Sequence, residues 1–151
     1  MNDSFVAEKS ITIHASADAV WQALTDPEMV RQYMHGTNLE TDWQVGSPIT
    51  WKGEWQGRTY EDKGTVLEVN PRRRLTMTHW SPMAGKADEP DNYHTVTYEL
   101  APQDGTTVLT VKQDNNPSQE DADEMAESNW GPVLEGLKAV AESRHAAGAK
   151  D

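Results

Sequence analysis

Apolar positions along the chain change period several times, and the changes divide it into elements. Phe5 to His14 reads FVAEKSITIH, where Ile11 and Ile13 alternate with Thr12 and His14, so a first strand with one buried face is predicted. Val20, Trp21 and Leu24 then fall at helical spacing behind Ser16, a capping residue, with Asp18 where the helix dipole favours an anion. Asp26-Pro27-Glu28 opens a second short helix with Met29, Val30, Tyr33 and Met34 on its apolar side, and His35-Gly36 ends it.

From Leu39 to Gln113 the period falls to two. Runs of β-branched and aromatic residues are separated by Gly46-Ser47-Pro48, Gly57, Asn70-Pro71 and Asp104-Gly105. This predicts antiparallel strands near 39–43, 48–56, 59–70, 74–80, 93–101 and 106–113, with 81–92 as the longest loop. Residues 118–145 return to helical period, with Ser118 and Asp121 as a capping arrangement and Met125, Trp130, Val133, Leu134, Leu137, Val140 and Ala141 on one face. Gly131-Pro132 interrupts that helix. The missing amide and the clash of the ring with the preceding turn predict a kink there or a separate acidic first segment.

The order of elements predicts an α+β fold: a curved antiparallel sheet of about six to seven strands gripping a long C-terminal helix, with two short helices after the first strand. A single domain over 1–151 is expected, with 146–151 as a frayed tail. Where a sheet bends away from a helix, side chains need not fill the gap, and a pocket open at one end results. Period two puts Ile49, Trp51, Gly53 and Trp55 on one side, with Leu75, Met77 and His79, then Val96, Tyr98 and Leu100, then Leu109, Val111 and Gln113.

Composition narrows the function classes. Lys plus Arg number 13 against 25 Asp plus Glu, a net charge of −12, which repels phosphate backbones and anionic membranes. No nucleic-acid partner and no membrane insertion are expected. There is no cysteine, so disulfides, thiolate zinc sites and cysteine nucleophiles are excluded. The hydrophobic fraction is only 36%, yet six Trp, six Met and four Tyr supply the bulk for a core or a pocket wall. The first ten residues lack the basic end and apolar run of a secretory leader, and a soluble cytoplasmic protein is expected.

The histidines form the sharpest local feature. A symmetric hairpin across 81–92 sets His79 opposite His94, with Cβ atoms about 5 Å apart. Two imidazoles at a pocket mouth suit a ligand anion, a proton shuttle or a metal. A metal needs further ligands that no spacing supplies, so no metal and no cofactor are expected, and no catalytic residue is assigned. Arg72-Arg73-Arg74 reads as a solvated turn. The linear sequence places no pair among Glu54, Glu61, Asp62, Glu68 and Glu99 at a separation suited to glycoside hydrolysis. Phosphate-cradling glycine loops and Gly-x-Ser-x-Gly elbows do not occur.

Several segments together carry a resemblance: HASADAVWQALTDPE at 14–28, Gly46-Ser47, GTVLEVNP at 64–71, RLTMTHW at 74–80, VTYEL at 96–100 and WGPVLEGLK at 130–138. The chain resembles the START-like, or SRPBCC, superfamily of helix-grip proteins, in the branch related to the activator of the heat-shock chaperone ATPase. The resemblance implies a sheet gripping the C-terminal helix around a hydrophobic cavity. It also implies a range of roles: members bind lipids, polyketides, hormones and other apolar molecules, some are cyclases or self-sacrificing resistance proteins, and chaperone activators work through protein contact.

The leading expectation is a cavity that holds an apolar or aromatic small-molecule ligand, lined by Trp51, Trp55, Met77, His79, His94, Tyr98, Gln113, Trp130 and Leu134. A second reading is an interaction module modulating a chaperone-type ATPase partner, with an exposed apolar patch around Tyr33, Met34 and 81–92. A third is an enzyme with His79 or His94 as acid or base. A homodimer is compatible with each.

Overall fold

A computed structural model describes residues 5–34, 36–82 and 85–149, apart from the side chains of Trp55 and of 144–149. His35, at the expected end of the second helix, lies outside the described residues. Strand β1 (Phe5–Ile13) leads into helices α1 (Ala17–Thr25) and α2 (Pro27–Tyr33). Strands β2 (Asn38–Glu40), β3 (Pro48–Trp55), β4 (Arg58–Asn70), β5 (Arg74–His79), β6 (His94–Gln103) and β7 (Thr106–Asn116) follow. The chain ends in helix α3 (Gln119–Met125), a π-helical turn (Ala126–Trp130) and helix α4 (Gly131–Ala149). Seven antiparallel strands form one sheet in the order β1-β7-β6-β5-β4-β3-β2.

Local chemistry explains most boundaries. Ser16 Oγ accepts the Ala19 amide at 3.2 Å and Asp26 Oδ1 the Glu28 amide at 3.0 Å, capping the two short helices. Two-residue turns at Gln56-Gly57 and Asp104-Gly105 have both residues at positive φ, which matches the twist of the flanking strands and lets pairing run to the turn, as in Trp55↔Arg58 and Gln103↔Thr106. β2 stops at Glu40, short of the expected 43. There Asp42 Oδ1 accepts the Gln44 amide and Trp43 takes φ 59°, held by its indole N–H on the Thr25 carbonyl at 3.1 Å.

Near Pro132 the C-terminal helix widens. Gly131 N–H reaches back five residues to the Ala126 carbonyl, and this wide turn makes room for a ring that a regular helix would crowd. The expected interruption is thus a π-helical turn, with acidic α3 ahead of it. α4 continues to Ala149, past the expected end at 145, and Lys150 and Asp151 lie outside the described residues.

The helices pack on one face of the sheet. Ile13, Val20, Leu109, Val111, Leu134, Leu137 and Ala141 share one core with Val30 and Leu75. At the far end of β1, Lys138 Nζ donates to the Thr12 carbonyl at 3.1 Å and Glu142 accepts the His14 amide at 2.9 Å, which pins α4. Bulges interrupt β7 between Gln113 and Asn116, opposite Phe5 to Ala7 of β1, and β4 between Val66 and Glu68, and such bulges bend the strands that carry them. Among the described residues no helix is long and apolar enough to cross a membrane.

Candidate functional site

Between the inner ends of β3 to β7 and the α3–α4 segment lies a cavity of about 760 Å³. Its sheet wall is set by strand register. Trp51 pairs with Asp62 across β3 and β4, and His79 pairs with His94 across β5 and β6, as the symmetric hairpin requires. Met77, Val96, Tyr98 and Gln113 continue the wall, and Met125, Trp130 and Val133 face them from the helical side.

Hydrogen bonds orient the polar groups. His79 Nε2–H donates to Asp62 Oδ2 at 2.9 Å, and the His79 ring stands edge-on to Trp51 with centroids 5.0 Å apart. His94 Nδ1–H donates to the Asp114 carbonyl at 2.8 Å, because a carbonyl can only accept. Gln113 is 5% exposed, and its Oε1 accepts the Trp130 indole N–H at 2.7 Å. The Tyr98 ring is T-shaped to Trp130 at 6.1 Å, and burial pushes the Tyr98 hydroxyl well above its ordinary pKa, so the wall there is neutral. Asp62 Oδ1 is buried without a partner.

The mouth is closed on one side by the segment after β5. Asp88 accepts hydrogen bonds from Lys63 and from the Tyr93 hydroxyl. Lys63 Nζ lies 5.7 Å from the Trp80 ring centroid, and the Trp80 and Tyr93 rings stack at 6.2 Å. The hydrogen bond from Lys63 holds the Asp88 carboxyl below the usual range and in turn raises the lysine. This clasp places Ser81, Lys86 and Asn92 at the cavity.

Of the residues expected in the lining, Trp51, Met77, His79, His94, Tyr98, Gln113 and Trp130 border the cavity. Leu134 does not: it is 1% exposed and packs into the core, while Trp130 and Val133 border the space. Trp55 sits at the end of β3, and its side chain lies outside the described part of the structure. The patch expected around Tyr33 also fails, since Tyr33 is 8% exposed and donates its hydroxyl to the Ala23 carbonyl at 2.7 Å. Among the described residues the exposed large apolar side chains are Phe5, Val6, Val45 and Leu67.

Asp62, Tyr60 and Trp80 border the cavity and went unassigned in the sequence. A signal for Asp62 existed: a two-residue turn at Gln56-Gly57 pairs Trp55 with Arg58 and, counting back, Trp51 with Asp62. Asp62 and His79 can bind a hydrogen-bond donor or relay a proton. No group of three or more histidine or acidic side chains fit to hold a metal ion occurs among the described residues.

A sheet closed on a long C-terminal helix, with a cavity between them, defines a helix-grip protein of the START-like class. The chain belongs to the family of activator of Hsp90 ATPase homolog 1-like proteins, whose model matches residues 14–142. The solution structure of ChR145 from Cytophaga hutchinsonii is 43% identical, covers 93% of this chain and 95% of that one, and superposes with a TM-score of 0.79. The Aha1 dimer from Colwellia psychrerythraea is 21% identical over 91% of this chain and 96% of that one, with a TM-score of 0.69. PFC0360w, an HSP90 activator from Plasmodium falciparum, is 20% identical over 91% and 94%, with a TM-score of 0.67. At those identities the last two show the fold alone. A search of curated proteins finds no match.

Proposed function

We propose that this protein binds a small molecule with an apolar or aromatic body between its sheet and C-terminal helix. The observation that supports it is the 760 Å³ cavity, within the size range of small-molecule sites, walled by Trp51, Met77, Tyr98 and Trp130 with a few polar tips converging on it. A concave space of this size between sheet and helix, lined mainly by apolar and aromatic side chains, supports a ligand role. A ligand at a hundred times its dissociation constant stabilises the folded state by about 2.7 kcal/mol. A thermal-shift screen of neutral, cationic and anionic aromatic compounds is expected to find ligands that raise the melting temperature by several degrees. Val133→Trp, which puts a bulky ring into the space, should diminish the shift; an undiminished shift in a folded Val133→Trp variant, or no shift with any compound, defeats the reading.

A second reading, a protein-interaction module that modulates a chaperone-type ATPase, is supported more directly by the comparisons than ligand binding is. The family description and the Plasmodium falciparum HSP90 activator both favour it, and the Colwellia psychrerythraea dimer favours a homodimer. It predicts that the protein raises the ATPase rate of an Hsp90-type chaperone and that Val133→Trp leaves this stimulation intact.

A further inference from the structure

The polar floor of the cavity carries information about charge that its volume does not. Asp62 stands in the middle of the sheet wall, 17% exposed at its side chain, flanked across β3 by Trp51 and toward β5 by His79. One carboxylate oxygen takes the His79 N–H, and the other is buried and unpaired. That unpaired oxygen is shielded from the cavity, so Asp62 acts on a ligand through its negative charge.

The surrounding charges decide which donor fits. Carboxylates of Asp62, Asp121 and Glu124 border the space against one lysine, Lys86, in a chain of net charge −12. Both imidazoles direct an N–H away from an incoming anion, His79 to Asp62 and His94 to the Asp114 carbonyl. Trp51, Tyr98 and Trp130 add ring faces, whose negative π clouds attract a cation and whose apolar area accepts its hydrocarbon part. A ligand carboxylate would meet the carboxylates of Asp62, Asp121 and Glu124, with Lys86 the single cation bordering the space to set against them. A neutral hydroxyl would gain nothing from the field.

We propose that the cavity selects a ligand with a protonated amine on an aromatic or alkyl body, the ammonium seated on Asp62 beside the Trp51 ring. This rests on reading the cavity as a ligand site. It is tested by calorimetric titration of the full chain with three probes that share one ring system: 1-naphthylmethylamine, 1-naphthalenemethanol and 1-naphthoate. The amine is expected to bind about tenfold or more tighter than the alcohol, and the carboxylate weakest. Asp62→Asn should bring amine and alcohol to similar affinity by weakening the amine. Alcohol or carboxylate binding as tight as the amine in the wild-type protein overturns the charge selection and leaves the ligand reading standing. Absence of binding by all three, with the thermal screen equally silent, overturns both. The ranking in the wild-type protein decides the matter even if Asp62→Asn fails to fold.

Discussion

At Gly136 a Cβ atom would lie 2.8 Å from Cβ of Tyr33, closer than packed side chains approach. The missing side chain sets the distance between α2 and α4, and neither Cβ can swing aside because both are fixed to backbone. Gly136→Ala is expected to destabilise by about 1–3 kcal/mol through overpacking, outweighing the gain of up to about 1 kcal/mol from replacing a helical glycine. Urea unfolding measures it, and a stabilised variant would show that α2 moves freely. Nothing in the local sequence marks Gly136, since its requirement comes from a residue about a hundred positions away. Gln113 is different: the alternation of β7 placed it inward, whereas its pairing with Trp130 depends on how the helix is rotated.

Between β5 and β6 the described part of the connecting segment is held in part by side chains at the surface. The Lys63–Asp88 ion pair, the Tyr93 hydroxyl and the Trp80 stack hold it against β4, and exposed ion pairs contribute little to global stability. Lys63→Ala is therefore expected to raise amide hydrogen exchange across 85–93 while leaving the urea midpoint unchanged; unaltered exchange there would show that the clasp holds nothing in place. The hairpin register was legible from symmetric pairing across the loop, and His79 does face His94. The clasp was not, because Lys63 belongs to another hairpin and meets the segment only when β4 and β5 pair.

For the molecule as a whole, stability should fall at both ends of the pH scale. Hydrogen bonds from Ser47, Lys63, Lys112 and Lys138 are the leading causes that hold Asp42, Asp88, Glu99 and Glu142 below their ordinary values. A depressed carboxyl stabilises the fold above its unfolded pKa, and that contribution is lost as pH drops through the folded value, so weakening begins below about pH 4. Burial raises Tyr33 and Tyr98, so their contribution is complete below the ordinary value of 10.0 and declines above it, where the unfolded state ionises first. Each buried tyrosine steepens the alkaline loss by up to about 1.4 kcal/mol per pH unit. Tyr98→Phe is expected to flatten that limb in urea midpoints measured from about pH 9 to about pH 11; an unchanged slope would mean the tyrosine ionises without unfolding.

What the chain determined by itself was the succession of elements and, through two-residue turns and symmetric hairpins, which residues share a face of the sheet. Those properties follow from short-range periodicity and backbone preference, which a linear string carries in full. Tertiary structure alone decided that Leu134 packs in the core while Val133 and Trp130 border the cavity, that Tyr33 is buried under Gly136, and that one oxygen of Asp62 is left without a donor. Each depends on the distance and rotation between helix and sheet, set by the packing of side chains far apart in the chain, and no local pattern encodes it.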